Sequence, residues 1–586
     1  MHWTSLLCVS ILLYSTFGSR CPELNTLHGT KSSLLRLKEL VAGEIASLRE
    51  LSALRDAEQE IEVDLTQSFE DWCREKASLH PYLEFRRIQR GNVKKAGIKQ
   101  KVVNLLSEGG MGVFAVSPIS RGETLVDVDI KYVLRVKDVE RLPYEWKEML
   151  TPNSTYFSRK EFDDGRIEVQ PSKTTSSNFA LLALVLLYEH HAQHLSGKGD
   201  MDYRDTIAGE DMSIYHDSLP APSTHGYPAT WPQPFVDAIK NTTIGRVIGQ
   251  LRPIFLQEYK DMIDVEKCAS LCESGGAVSF EMYVWARSIV RAYAFSVGDW
   301  QQAQQSDFTA LAVPGFIPPE ANAPDTGSGS EIEPMLVPCL DRFNHRSLGP
   351  KGDFEGASAT AILDINTDEE VFFSYGSTDN RILLAGYGFV DLSSKGVTFQ
   401  FLDVIDLKAL LYSRKRDSDD MRIWKLNRLH EIVEARVPGI LEGTLRVPAR
   451  EEDFLTNEAG ESSALISALR ILHLSENEIL KYSEDMERRV ISEKNEALVW
   501  LTLEKGLQER AKLLNDADRA IGTLLGCFKE AGTLLSSEKK GGAVQEWSRR
   551  VSVGIVIAEE RQAMERVSKI LRSNAQKFEH AIFRDE

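Results

Sequence analysis

Short apolar segments that are typical of β-strands occur in two stretches of this chain that lie far apart in sequence. Residues 113–116 and 125–128 form the first stretch, and residues 359–363 and 371–373 form the second, with turn-forming residues between the segments. A sheet built from these segments has to join distant parts of the chain, which is slow to fold but leaves a deep cleft. The pattern predicts an α+β fold.

The chain between the two stretches is predicted to be a mainly helical insert at about residues 136–300. Its clearest part is residues 178–195, because an unbroken apolar run from Phe179 to Tyr188 indicates a buried helix. Residues 303–333 are rich in Pro, Gly, Ser, Ala and acidic residues and lack periodicity. They predict a flexible surface loop.

The end of the chain is predicted to be a separate all-α domain, residues 401–586. Apolar residues recur there at helical spacing, for example at Trp500, Leu503, Leu507, Ala511 and Leu514. A further amphipathic helix is predicted within residues 30–66. A chain of 586 residues exceeds one hydrophobic core, so two or three domains are expected.

The first residues, 1–20, are predicted to be a targeting segment. The apolar run from Leu6 to Phe17 is followed by the small residues Gly18 and Ser19 and resembles a secretory signal peptide, although no Lys or Arg precedes it. The run is too short to cross a bilayer, and no later segment is predicted to be transmembrane. The expected route is secretory or leads to a plastid of secondary origin; otherwise the chain is cytoplasmic or nuclear.

Charge and cysteine content exclude some classes of function. There are 69 basic and 87 acidic residues, and the net charge of −18 disfavours binding to nucleic acid. A protein partner fits better, and we expect the chain to be a monomer. The seven cysteines lack the paired CxxC spacing of a structural zinc site, so no metal is predicted. Cys268 and Cys272 have the spacing to share a helix face, but ordinary thiols are the favoured interpretation.

Polar residues that a hydrophobic core would avoid are concentrated in residues 338–389. Asn344 and His345 lie in the first half of this block, and Tyr375 and Tyr387 lie in the second. Apolar, strand-like segments surround them. Because buried polar groups cost free energy unless they are paired, this pattern indicates one functional site.

Four motifs, in this order, make the chain resemble the SET-domain methyltransferases. They are Gly110-Met111-Gly112 with Arg121-Gly122-Glu123, Pro338-x-x-Asp341-x-x-Asn344-His345, Glu369-Glu370-x-Phe372-Phe373-Ser374-Tyr375-Gly376 and Tyr387-Gly388-Phe389. The C-terminal helices are similar to the substrate-binding domain of the subgroup of Rubisco large-subunit lysine and actin-histidine methyltransferases. The resemblance implies a SET domain over residues 70–400, a substrate-binding domain over residues 401–586 and a protein substrate docked by the latter.

The resemblance implies transfer of a methyl group from S-adenosyl-L-methionine to a protein nitrogen, most simply that of a lysine. It makes Tyr375 and Tyr387 the catalytic residues, with Tyr375 at the methyl group and Tyr387 orienting the amine. Asp341, Phe295 and Tyr387 are then the substrate-channel residues. Since a tyrosine with a pKa near 10 is a poor base at neutral pH, we assign these hydroxyls to orientation and electrostatics.

The resemblance also assigns cofactor contacts. Gly110, Met111 and Gly112 bring backbone close to the cofactor, because glycine permits a close approach. Asn344 and His345 hold the adenine and amino-acid ends of the cofactor. The hydroxyl of Tyr375 also faces the cofactor.

One position departs from the family pattern. Tyr293 stands where the family commonly has an arginine that binds the cofactor carboxylate. Tyrosine donates one hydrogen bond but carries no charge. Either Tyr293 makes this contact, or another arginine replaces it, or the affinity for the cofactor is lower.

Two other readings of the sequence remain. In the first, the chain methylates a histidine instead of a lysine. Phe295 favours lysine, because this position is more polar in the histidine-modifying relative. Alternatively, it is a SET-like binding module with weak cofactor affinity, which the presence of Asn344, His345 and Tyr375 argues against.

Overall fold

A computed structural model gives the structure of the chain. The residues that it describes are 65–87, 111–152, 154–171, 175–197, 206–221, 226–268, 276–297, 333–346, 350–375, 380–391, 399–400, 407–413, 417–434, 448–449, 461–480, 491–522 and 542–582. The chain divides into two compact units, residues 1–67 and 68–586, and nearly all described residues belong to the second. The predicted targeting segment lies outside the described residues. The helix predicted at 30–66 and the loop predicted at 303–333 also do, except for their last residues.

Short strands form several small antiparallel sheets. In chain order the described strands are β1 (Leu83–Arg87), β2 (Met111–Ala115), β3 (Thr124–Asp127), β4 (Leu134–Arg135), β5 (Phe157–Glu161), β6 (Ile167–Pro171), β7 (Phe295–Val297), β8 (Glu333–Leu336), β9 (Gly352–Glu355), β10 (Ser358–Ala361), β11 (Phe399–Gln400) and β12 (Pro448–Ala449). The neighbours within each sheet are β1-β2, β3-β10-β9, β4-β8-β7, β5-β6 and β11-β12.

Distant strands pair as the sequence pattern requires. In the β3-β10 pair, Asp127 lies opposite Ser358 and Val126 lies opposite Ala359. In the β4-β8 pair, Leu134 lies opposite Leu336. The early and late β-stretches therefore form common sheets, and the fold is α+β.

Most of the described helices lie in the insert or in the C-terminal part. In chain order they are α1 (65–76), α2 (Tyr144–Glu148), α3 (Thr175–Gly197), α4 (Ser213–Ser218), α5 (Gln233–Ile239), α6 (Thr243–Met262), α7 (Val265–Cys268), α8 (Phe280–Tyr293), α9 (Asn380–Tyr387), α10 (Leu407–Ser413), α11 (Asp419–Arg428), α12 (Glu461–His473), α13 (Glu476–Ile479), α14 (Glu493–Ile521) and α15 (Gly542–Ile582). Within the described ranges, none of these helices combines the length and apolarity that a membrane span requires.

Two regions differ from the sequence expectation. The insert is not wholly helical, because β5 and β6 form a hairpin whose turn contains Gly165 at φ 82°, a conformation that glycine adopts readily. The C-terminal part is not strictly all-α, since β12 pairs with β11. Cys268 ends α7 and is disulfide-bonded, so its interpretation as an ordinary thiol is wrong. Cys272 lies outside the described residues.

The buried side chains form two hydrophobic cores. The first surrounds α3, α8 and the strands, and the second is built mainly from α12, α14 and α15. The second core also takes Val236 and Ile239 of α5 and Ile244 and Val247 of α6, which belong to the insert. The boundary between domains near residue 400 stays a prediction.

Candidate active site

The two halves of the polar block lie side by side. The backbone N–H of Val371 donates to the carbonyl of Val113 at 2.8 Å, so this segment pairs with β2. On its other side, the N–H of Phe373 donates to the Asn344 carbonyl at 2.9 Å, and the N–H of Arg346 donates to the Phe373 carbonyl at 2.9 Å. Backbone hydrogen bonds therefore fix the spacing between the two motifs.

Tyr375 and His345 are joined directly. The backbone N–H of Tyr375 donates to His345 Nδ1 at 3.0 Å, and its hydroxyl donates to the Phe343 carbonyl at 2.7 Å. Burial lowers the pKa of His345 to about 4, although Asp391, 4.0 Å from Nε2, opposes this effect. The imidazole is therefore neutral at pH 7 and carries its hydrogen on Nε2, because Nδ1 accepts.

The Tyr375 hydroxyl stays protonated at neutral pH. Burial raises its pKa above the usual range, and the neighbouring Tyr293 and Asp341 add to this effect, while Arg342 opposes it. A phenol with a raised pKa cannot serve as a base, but it can orient a reacting group by hydrogen bonding.

A cavity with mainly aromatic walls lies beside Tyr375. Its lining residues are Ala292, Tyr293, Ala294, Phe295, Asp341, Phe354, Tyr375 and Tyr387. The rings of Tyr375 and Tyr387 lie 4.9 Å apart, and those of Phe295 and Phe354 lie 4.7 Å apart at a steep angle. The structure thus brings together the residues that the sequence predicted for the substrate channel; their roles stay predictions.

Asp341 is the charged side chain among these lining residues. Its Oδ2 accepts from the Tyr215 hydroxyl at 3.0 Å, and its Oδ1 lies 3.3 Å from Arg342 Nε. Burial raises the pKa of Asp341, and the guanidinium of Arg342 opposes this increase. The pair occupies the turn Leu340–Arg342, which follows Cys339.

Asn344, which is predicted to contact a cofactor, lies against Met111 of β2. The Asn344 side-chain amide donates to the Met111 carbonyl at 3.1 Å and to Glu370 Oε1 at 2.8 Å. A Cβ on Gly112 would come within 2.7 Å of Glu370 Oε1, so the Glu370 side chain would have to shift to admit one. Gly110 lies outside the described residues.

Tyr293 ends α8 and lies in the cavity wall. The guanidinium of Arg342 lies 5.4 Å from the centre of its ring, and the Tyr293 side chain hydrogen-bonds with Tyr227. A contact between Tyr293 and a cofactor carboxylate stays a prediction.

Sequence reasoning missed several residues of the site. Arg342 and Glu370 lie inside the recognised motifs. Each is a charged residue in an apolar segment, and this feature could have identified both as candidates for the site. Tyr215 and Tyr227 come from the insert, where nothing in the sequence indicates their contact with the site. Tyr227 packs against Gly388, whose φ is 81° and where a Cβ would lie 3.3 Å from the tyrosine ring.

Known proteins resemble this chain in structure but not detectably in sequence. No protein-family model and no curated protein matches it. The structure of Rubisco LSMT bound to AdoMet matches with a TM-score of 0.50 and 13% sequence identity, over 88% of this chain and 93% of that one. The SET domain of LSMT bound to MeLysine and AdoHcy gives the same values. The chain has the LSMT SET-domain fold. At this low identity, the likeness to LSMT concerns the fold alone.

Proposed function

We propose that the chain is a protein N-methyltransferase that uses S-adenosyl-L-methionine and acts on a lysine of a non-histone protein. The main support is the cavity in which Tyr375 and Asp341 face aromatic walls, next to the Asn344-His345 segment. The LSMT structures of the same fold are bound to AdoMet in one case and to MeLysine and AdoHcy in the other.

The residues beside Asn344 fit this cofactor. Met111 and Gly112 would approach it through backbone, since glycine permits a close approach. Both hydrogens of the Asn344 amide nitrogen are donated to Met111 and Glu370, so this side chain would meet a cofactor through its oxygen, which is an acceptor. The half-buried Glu370 carboxylate offers a further acceptor for a cationic amino group. When bound, S-adenosyl-L-methionine supplies a methyl group that its sulfonium makes electrophilic.

The chain's own residues have to present an uncharged amine and exclude water. The rings of Phe295, Phe354 and Tyr387 remove water from the channel, which strengthens the remaining polar interactions. The protonated hydroxyl of Tyr375 orients the reacting groups, so that positioning provides most of the rate acceleration. The proton of the amine leaves to water, because the neighbouring phenol is not a base.

Mass spectrometry of a proteome incubated with the protein and isotopically labelled S-adenosyl-L-methionine tests this function. We expect label on lysine side chains of one or a few proteins. Label on histidine would replace the lysine assignment by the alternative. If calorimetry finds no cofactor binding even at millimolar concentration, the chain is a binding module and the enzymatic proposal is wrong.

We also propose that the C-terminal helices dock the protein substrate. Tyr412 on α10 and Ile423 on α11 are large apolar side chains exposed by 63% and 58%. Replacing each by serine should raise KM for the protein substrate without changing kcat or cofactor affinity. Leu363, which is also exposed but precedes residue 400, is the matched control. Equal effects at all three positions would contradict docking by this domain.

We propose the secretory route as the location of the chain. Cys73 and Cys339 form a fully buried disulfide, and such bonds persist in oxidising compartments but are rare in the cytosol. The apolar run from Leu6 to Phe17 fits an entry signal. A C-terminal fluorescent fusion should enter this route only when residues 1–20 are present; cytosolic fluorescence of the full chain would contradict the proposal.

A further inference from the structure

A buried arginine stands directly behind the carboxylate of the candidate channel. The Arg342 side chain is 4% exposed, and that of Asp341 is fully buried. Arg342 Nε lies 3.3 Å from Asp341 Oδ1, and its Nη2 donates to Ser218 Oγ at 2.8 Å. The carboxylate that faces the cavity is therefore already paired with a cation, and the pair has no net charge.

Aromatic rings hold this guanidinium in place. Its central carbon lies 5.1 Å from the ring centre of Phe69, 5.8 Å from that of Tyr215 and 5.4 Å from that of Tyr293. Such packing favours arginine over lysine, because the planar guanidinium stacks on rings and is weakly hydrated. Arg342 is thus fixed beside Asp341.

The other titratable groups around the pair are mostly neutral. Those that interact with the pair or with Tyr375 are Tyr215, Tyr227, Tyr293, Tyr375 and Glu370. Burial raises the pKa of Tyr215, Tyr227 and Tyr375 above the usual range of tyrosine, so these hydroxyls keep their protons well above neutral pH. Glu370 is hydrogen-bonded to Asn344 and is not among the residues that line the cavity, so the ion-paired carboxylate of Asp341 is the acidic group next to the incoming amine.

We propose that Arg342 is a positioning residue that makes the channel select the uncharged form of the amine. This inference rests on the proposed function, which requires an amine nitrogen with a free lone pair. An unpaired carboxylate in a dry cavity would hold an ammonium group as an ion pair and oppose its deprotonation. With Arg342 in place, a second cation next to the pair is disfavoured. The ammonium proton passes to solvent water, and the neutral amine enters.

The pH dependence of amine binding tests this role without any methyl transfer. The probe is n-butylamine, a mimic of the lysine side chain, and its binding to the full chain is followed by NMR. Between about pH 7.5 and 9.5 the neutral fraction of an amine with a pKa near 10.4 grows about tenfold per pH unit. If the wild-type protein selects the neutral form, its apparent affinity rises by the same factor. Butan-1-ol, which does not titrate, should bind with constant affinity.

Substitution of Arg342 separates a positioning role from a structural one. Arg342→Met should bind n-butylamine more tightly at pH 7.5, with an affinity that hardly changes with pH, because the unpaired Asp341 now holds the ammonium form. Arg342→Lys keeps the charge and should keep the wild-type slope. An unchanged slope in Arg342→Met overturns the proposal. If the affinity of the wild-type protein for n-butylamine does not change with pH, or if n-butylamine does not bind, the proposal is overturned even if the variants do not fold.

The n-butylamine measurement can fail independently of the proteome labelling that tests the proposed function. If lysines in the proteome are labelled but the affinity of the wild-type protein for n-butylamine does not change with pH, only the proposed role of Arg342 is overturned. The expected slope without any label would support neutral-amine selection and overturn methyl transfer.

Discussion

Tyr375 shows how one residue combines several contacts. Its backbone N–H binds His345, its hydroxyl binds the Phe343 carbonyl, and its ring packs against Tyr387. These contacts leave the hydroxyl fixed in direction and protonated. At the scale of the residue, the site is therefore built for orientation rather than for proton abstraction.

Tyr375→Phe isolates the contribution of this hydroxyl. We expect kcat to fall at least about 100-fold, since a positioned hydroxyl near the reacting atoms is lost while the ring remains. Cofactor affinity measured by calorimetry should stay nearly constant. Tyr144→Phe, at an exposed tyrosine of α2, is the control and should have normal turnover. Normal turnover in Tyr375→Phe would remove this residue from the catalytic role.

At the scale of elements, the short helix α4 supports the site from behind. It carries Tyr215, which binds Asp341, and Ser218, which binds Arg342. The same helix carries His216, whose two ring nitrogens have no hydrogen-bond partner among the described residues and whose ring lies 5.6 Å from that of His190 on α3. Protonation of this histidine pair would put charge into an apolar interface.

Stability should therefore decrease in mild acid. Burial lowers the pKa of His190 to about 4 and holds the pKa of His216 well below its usual value, so both are neutral in the folded chain at pH 7. Because unfolded histidine titrates near pH 6.5, the stabilisation is complete above that pH and is lost as pH falls toward 4. His190 alone corresponds to about 3 kcal/mol over this range.

Urea unfolding at pH 7 and pH 5 measures this effect. The drop in unfolding free energy should be smaller in His216→Gln than in the wild type, whereas His430→Gln, at an exposed histidine, should leave it unchanged. Identical drops in all three proteins would contradict the assignment to α4.

At the scale of the whole molecule, two buried links join distant parts of the chain. The Cys73–Cys339 disulfide connects α1 to the turn of Asp341 across a sequence separation of 266 residues. Arg510 of α14 and Glu560 of α15 form an ion pair at 2.8 Å, and Thr243 of α6 donates to the same carboxylate at 2.8 Å. The second link ties the C-terminal helices to the insert.

Loss of the disulfide should destabilise the protein by about 2–4 kcal/mol, since the crosslink restricts the unfolded chain. The comparison is urea unfolding with and without a reductant. Because Cys268 is also disulfide-bonded, the double variant Cys73→Ala/Cys339→Ala should be less stable than the oxidised wild type and should respond less to the reductant than the wild type does. If the wild type and the double variant respond equally and mass spectrometry finds the thiols of Cys73 and Cys339 free, this disulfide does not form in solution.

Arg510→Met should lower the unfolding free energy by about 3–5 kcal/mol, because it leaves the buried Glu560 carboxylate without its cation. The double variant Arg510→Met/Glu560→Gln should recover part of this loss, since no unpaired charge remains. Arg519→Met breaks an exposed ion pair with Asp516 and should change stability little. A similarly small effect of Arg510→Met would show that the buried pair is not important.

The spacing of apolar residues and the order of the motifs predicted much of the fold and of the site. The spacing of apolar residues within single segments predicts the strands at 113–116 and 125–128 and the buried helix around 178–195. The α+β class follows from the same spacing. The hairpin β5-β6 was overlooked because its polar residues hide the alternation of Ile167 and Val169. Five of the eight residues that line the cavity were predicted site residues, namely Tyr293, Phe295, Asp341, Tyr375 and Tyr387.

The sequence by itself determined which residue types are available for the site and which segments become strands or helices, because these depend on neighbours along the chain. Only the tertiary structure decided that Arg342 faces Asp341, that Tyr215 and Tyr227 of the insert complete the site, and that Cys73 meets Cys339. These pairings depend on packing between residues far apart in sequence, and no local pattern records which distant side chains come into contact.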